Sequence, residues 1–115
     1  MTAADKAAEL TILTATRALI AQGWTQTYYA VDVDNNAVSS LSDNAVRWCL
    51  AGGLTRAVFD NSAAEASTAD RHAADEAIVR LLPDNMNAIT WNDAPKRTQA
   101  EVLALLDQAI ASETS

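Results

Sequence analysis

Basic residues are scarce in this chain: 8 Lys and Arg stand against 15 Asp and Glu, a formal net charge of -7. Neutralising phosphates needs a basic stripe, and none is present, which weighs against nucleic acid as a ligand. Acidity of this kind favours solubility and suits a basic protein partner. A single cysteine, Cys49, rules out an internal disulfide framework, and with a single histidine, His72, it cannot supply the usual zinc sites. A reducing cytosol is the expected location, and no metal or cofactor is expected. No apolar run approaches the roughly 18 residues of a membrane span. The start, MTAADKAAEL, is charged and alanine-rich where a signal peptide is apolar, so a mature start at Met1 or Thr2 is expected. Aromatics make up only 5% of the residues. The core is therefore expected to be closely packed helices around a few large anchors: Trp24, Trp48, Phe59 and Trp91, with Tyr28 and Tyr29 half-buried.

What is present fits one domain over residues 1–115. A first helix is predicted from Ala4 to Gln22, with Ala8, Ile12, Leu13, Thr16, Leu19 and Ile20 on one face. Gly23 ends it in a left-handed cap that lets Trp24 fold back. The composition of TQTYYAV and AVSSL predicts a hairpin near 26–40, turning at Asp34–Asn36. Ser42 caps a second, central helix over 43–59 with two apolar faces, leaving Arg47, Thr55 and Arg56 to solvent. The Gly52–Gly53 pair costs about 2 kcal/mol against alanine inside a helix, so another backbone or a large ring must press there, and Trp91 is the predicted ring. Residues 60–70 read as a loop. A third helix over 68–82 turns Ala74, Ala77, Ile78 and Leu81 inward and pairs Arg71 with Asp75, His72 with Glu76 and Glu76 with Arg80. AITW, near 88–91, reads as a short strand that can join the sheet. Thr98 and Glu101 form a Thr-x-x-Glu capping box that opens the last helix. The fold class is α+β: about four helices around the central one, with a small antiparallel sheet.

Chemistry finds little support. Asp32, Asp34 and Asn36, with Asp43, copy some positions of a calcium loop, but Ala37 stands where the bend needs glycine. Cys49, His72 and Asp93 invite a nucleophile reading, yet a mid-helix cysteine on an apolar face is a poor thiolate. The one dense constellation is Trp91, Asn92, Asp93, Lys96 and Arg97, with Trp48 close by. Its structural reading is a turn that ties Trp91 into the core and starts the last helix. Its functional readings are an acid or base at Asp93, or an anion held by Lys96, Arg97 and the open amides of a helix start. These six residues are the candidate site, and no catalytic residue is assigned.

The segments QGW (22–24), AVRWCLAGGL (45–54), WNDAPKRT (91–98) and EVLALLDQAI, with their Trp-Cys-x-x-Gly and Trp-Asn-Asp motifs, resemble a family of small uncharacterised proteins of bacteria and phages. The resemblance implies a shared fold and a bacterial host cytosol, and carries no activity. The hairpin turn of that family usually holds a glycine, whereas Asn35, Asn36 and Ala37 stand here, which leaves the turn type open. The expected function is a non-catalytic accessory protein that binds another protein or a copy of itself, a reading motivated by apolar residues off the core faces such as Leu10 and Val79. Two alternatives stand beside it. One is an acidic phage protein that imitates nucleic acid or meets a basic partner; the other is a small enzyme or ligand-binding protein with a pocket near Trp48, Trp91 and Asp93.

Overall fold

A computed structural model describes residues 3–61 and 68–114. Helix α1 (Ala3–Gln22) buries Ile12, Leu13, Thr16 and Ile20, the face its apolar spacing predicts, and packs against the three other long helices. Glu9 is also fully buried on this helix, and neither of its carboxyl oxygens has a hydrogen-bond partner among the described residues.

Gly23 follows α1, but it is not a left-handed cap, because no glycine here has a positive φ. Its role is clearance. A Cβ there would lie 2.4 Å from the Val46 carbonyl oxygen and 2.5 Å from Cγ of Arg47. The backbone runs this close because Trp48 N–H donates to the Gly23 carbonyl (3.1 Å) and Thr25 N–H to that of Trp48 (3.2 Å).

Three two-residue strands follow: β1 (Ala30–Val31), β2 (Ala37–Val38) and β3 (Arg47–Trp48). The sheet is antiparallel in the order β2-β1-β3, with Ala30 opposite both Val38 and Trp48. The hairpin turns where expected, but its strands are only these two residue pairs long. Asn35 supplies its positive φ of 66°, which asparagine tolerates, and Asp32 accepts from the amides of Asp34 and Asn36 at 2.9 Å each.

The central helix does not begin near residue 43. Residues 47–48 are strand, and helix α2 (Leu50–Asp60) starts seven residues later than the sequence suggests, capped by the Cys49 sulfur, which accepts from Gly52 N–H at 3.3 Å. The reason is backbone satisfaction. The amides of Val46 and Cys49 donate to β1 and Tyr29, while Trp48 pairs with Gly23 and Thr25 on the other side, so this segment finds partners across the chain. Ser42 caps only a local turn, accepting from Asn44 N–H at 3.0 Å. The start of α2 is central as expected: Leu50 through Leu54 are all buried. Phe59 is not an anchor, since it is 52% exposed near the helix end.

The glycine pair makes room for something other than Trp91. A Cβ on Gly52 would lie 2.0 Å from the Tyr29 carbonyl oxygen, and one on Gly53 would meet Thr16 and Ile20 of α1 at 3.2 and 3.4 Å. The pair therefore admits the backbone leading into β1 and the side of α1.

Helix α3 (Thr68–Val79) turns Ala74, Ala77 and Ile78 inward as predicted, but Leu81 lies beyond its end and is exposed. Its Arg71 reaches inward to Thr55 Oγ1 and the Ala51 carbonyl, both at 3.1 Å. Of the loop expected over 60–70, Asp60 ends α2 and Thr68 opens α3, while 62–67 lie outside the described residues. After a 3-10 turn at Pro83–Asn85, AITW forms a short helix, α4 (Ala88–Asn92), and no added strand. Asn87 decides this by accepting from Thr90 N–H at 2.7 Å, a helix cap that outweighs the strand-like composition. Helix α5 (Gln99–Thr114) opens on the predicted capping box, with Thr98 N–H to Glu101 Oε1 at 2.9 Å and Glu101 N–H to Thr98 Oγ1 at 3.2 Å.

Candidate functional site

The Trp-Asn-Asp segment is a junction. Asn92 is fully buried at the end of α4, and its Oδ1 accepts from Trp24 Nε1 (2.8 Å) and from Leu50 N–H (3.1 Å). Its Nδ2 donates to the Thr25 carbonyl (3.2 Å) and to Asp93 Oδ1 (3.0 Å). One amide thus joins the chain after α1, the first turn of α2 and the end of α4. Gln26 answers from the opposite side, its Nε2 donating to the Asn92 and Ala94 carbonyls at 2.9 and 3.0 Å. The local amide bonds that the sequence suggests for Asn92 are replaced by distant ones, which only the folded chain brings within reach.

Asp93 is exposed, and its Oδ1 also accepts from Thr27 N–H at 2.9 Å. That bond holds Thr27 at a φ of 78°. A β-branched residue in this region carries strain of about 1–3 kcal/mol, which persists only where the surroundings over-determine it. The strained segment breaks the strand expected from Thr25 onward and turns Tyr28 and Tyr29 outward, 49% and 58% exposed, where half-burial was expected.

Between this segment and α4 lies a cleft of about 140 Å³, lined by Thr27, Tyr28, Tyr29, Cys49, Ile89 and Asp93. Cys49 is buried at its edge, and burial, ahead of every other cause, pushes its thiol pKa up, with the Asp93 charge adding in the same direction against the Gly52 amide. It is a protonated capping group, which suits neither a nucleophile nor a thiolate ligand. His72 is outside the cleft, paired with Glu76 at 3.0 Å on the exposed face of α3.

The six candidate residues therefore divide. Trp48 and Trp91 are buried in the core and do not line the cleft. Asn92 is the junction, and Asp93 reaches the cleft. Arg97 stacks on the Trp91 ring at 3.8 Å from its centre, donates to the Trp91 carbonyl at 2.9 Å and pairs with Glu101 at 3.3 Å. At the start of α5 the Thr98 amide is already taken by the Glu101 carboxylate and the Glu101 amide by Thr98 Oγ1, and that carboxyl is held below the usual range chiefly by the Thr98 amide. Lys96 is exposed at a φ of 68°. Tyr28, Tyr29, Thr27 and Ile89 are the lining residues that the sequence does not mark as part of a site. A run of two tyrosines beside polar residues is compatible with a strand, and nothing local signals the twist at Thr27.

A second depression, shallow and about 450 Å³, runs along α1 over Leu10, Thr11, Thr14, Ala15 and Ala18 to Asn61. Among the described residues no three His, Cys, Asp or Glu side chains gather as a metal site, and no helix is long and apolar enough to cross a membrane.

No curated protein and no solved structure matches this chain. The profile of a family of unknown function, DUF6197, matches residues 5–112, which takes in every element that builds the junction and the cleft. Over nearly its whole length, the chain belongs to that family of unknown function.

Proposed function

We propose that this protein is a non-catalytic interaction protein of the cytosol of a bacterial host, which associates with other proteins, copies of itself included, through the face around Tyr28, Tyr29 and Ile89. One observation carries the reading: two adjacent tyrosines stand half-exposed or more on a segment pinned by Gln26, Asp93 and Asn92. Rigid aromatic side chains beside an apolar neighbour and a small cleft are the usual makings of an interface centre, because they bury large area at little entropic cost. Light scattering across a wide concentration range tests it. Self-association is expected, and the double substitution Tyr28→Ser with Tyr29→Ser is expected to weaken it about ten-fold or more. A strict monomer at every concentration would refute the self-association.

A small-ligand site is the second reading, favoured by Cys49 and Asp93 sharing the cleft. It ranks lower because about 140 Å³ falls well short of the roughly 300–1,000 Å³ typical of such sites. Imitation of nucleic acid ranks below both. Acidic side chains here are interleaved with basic ones, as in Arg17–Asp107, Arg56–Asp60 and Arg97–Glu101.

A further inference from the structure

Asp93 is half satisfied. Its Oδ1 takes both Thr27 N–H and Asn92 Nδ2, which fixes the carboxylate, while Oδ2 has no hydrogen bond to a described residue. The cleft beside it is lined by Tyr28 and Tyr29 and by no Lys or Arg. Aromatic faces around a carboxylate are suited to a positively charged side chain, which gains from both.

The chain carries one fitting cation. Of its 8 Lys and Arg, Lys6, Arg17, Arg56, Arg80 and Arg97 sit in ion pairs. Arg47 binds the hairpin at Asp32 and Asn35, and Arg71 binds α2. Among the Lys and Arg side chains, all of them in described residues, Lys96 alone has no polar partner. It occupies the third position of the turn Ala94–Arg97, closed by Arg97 N–H to the Ala94 carbonyl at 3.1 Å, with Pro95 second. A positive φ at that position ordinarily calls for glycine or asparagine, so a lysine there is held at a conformational cost.

We propose that two copies of this chain pair about a two-fold axis through the Ala94–Arg97 turn, each inserting its Lys96 ammonium between Tyr28, Tyr29 and Asp93 of the other. Asp93 and Lys96 are three residues apart on one turn, so a single patch presents both the cation and its receptor. That is the self-complementarity an isologous pair requires. Each dimer then contains two symmetric Asp93–Lys96 contacts. The inference rests on the self-association proposed above and names the side chains that direct it.

Sedimentation equilibrium tests it with Asp93→Asn and Lys96→Gln. Asparagine keeps the Oδ1 acceptor for Thr27, and circular dichroism melting verifies that both variants remain folded. Each substitution removes both contacts and is expected to raise the dimer dissociation constant about ten-fold or more. An equimolar mixture of the two variants should associate more tightly than either alone, because the mixed pair regains one contact, Lys96 of one copy with Asp93 of the other. If the wild type pairs but neither substitution weakens it, or the mixture shows no recovery, this inference falls while the wider reading stands. If the wild type never pairs, this inference falls together with the self-association proposed above. A monomer whose Thr27 and Tyr28 amide resonances shift on adding N-acetyl-lysine amide would overturn self-pairing and give the cleft to a basic partner.

Discussion

Asn92 and Glu9 are both fully buried polar side chains, one at the end of α4 and one in α1, and the fold treats them in opposite ways. Asn92 uses its oxygen twice and its amide twice, on partners from three parts of the chain. Glu9 receives no hydrogen bond from any N–H or hydroxyl, and only the Glu113 carboxyl of α5, itself taken by Lys6 of α1 and Arg80 at the end of α3, lies within reach of it. A buried polar group costs free energy chiefly when unpartnered, so the two sites should respond to mutation with opposite signs. Satisfaction at Asn92 makes the junction rigid. Its absence at Glu9 makes the α1–α5 end a place where stability depends on pH.

The largest expected effect breaks the satisfied side. Asn92→Ala strands Leu50 N–H, Trp24 Nε1 and the Thr25 carbonyl in the interior, and a loss of about 3–5 kcal/mol is expected from urea unfolding. A loss under 1 kcal/mol would mean that the junction relaxes around the gap.

Next comes the approach that the junction depends on. Gly52→Ala would force a methyl to 2.0 Å from the Tyr29 carbonyl oxygen, and about 2–3 kcal/mol of destabilisation is expected. Gly53→Ala meets only side-chain atoms, at 3.2 Å and beyond, so the gain in helix propensity of about 1 kcal/mol offsets much of the crowding. Equal effects at the two positions, read from the same unfolding curves, would contradict the close backbone contact.

The smallest effect tests the unsatisfied side. Burial first, and the Glu113 carboxylate second, raise the pKa of Glu9 against the pull of Lys6 and Arg80. The folded chain therefore holds this proton more tightly than the unfolded one. The contribution of Glu9 is fully present below its ordinary pKa of 4.5 and is lost as pH rises through the raised folded value. Glu9→Gln, which cannot ionise and can donate to Glu113, should stabilise the protein by about 1 kcal/mol at pH 8 and by little at pH 4. Glu101 provides the contrast. Its lowered pKa makes its contribution present above its ordinary pKa of 4.5 and lost as pH falls through the lowered value, so Glu101→Gln should lower the melting temperature at pH 7 and not at pH 3. Thermal melts across pH that move both variants in the same direction would overturn the comparison.

Much of the helical framework was legible in the sequence because its signals are local. The apolar spacing of α1 and the Thr98–Glu101 box of α5 require only neighbours three or four residues away. The hairpin turn likewise rests on Asp32 and Asn35, within a few residues of each other. Residues 43–49 were misread because their apolar spacing suits a helix, while their amides find partners at Val31, Tyr29 and Gly23, none of them near in sequence. AITW was misread for the complementary reason, a strand-like composition overruled by the cap at Asn87. At the candidate site, the sequence pointed to Asn92 and Asp93 but not to what they hold. Tyr28 and Tyr29 gave no sign that they would stand outside the core.

The sequence by itself determined the acidic charge, the want of disulfide chemistry, the two long helices α1 and α5 and the Thr98–Glu101 box that starts α5. Periodicity, capping and composition act over a few residues and do not need the rest of the chain. Only the tertiary structure decided that Cys49 would cap α2, that Gly23 and Gly52 would admit a passing backbone, and that Asn92 would gather Trp24, Thr25 and Leu50. It also decided that Thr27 would be strained so that two tyrosines face outward beside Asp93. Each of these depends on groups about 20 or more residues apart being brought within a few ångströms, the Cys49 cap through its amide bond to Tyr29, and the condition that buried polar groups find partners chooses among them after the helices have packed.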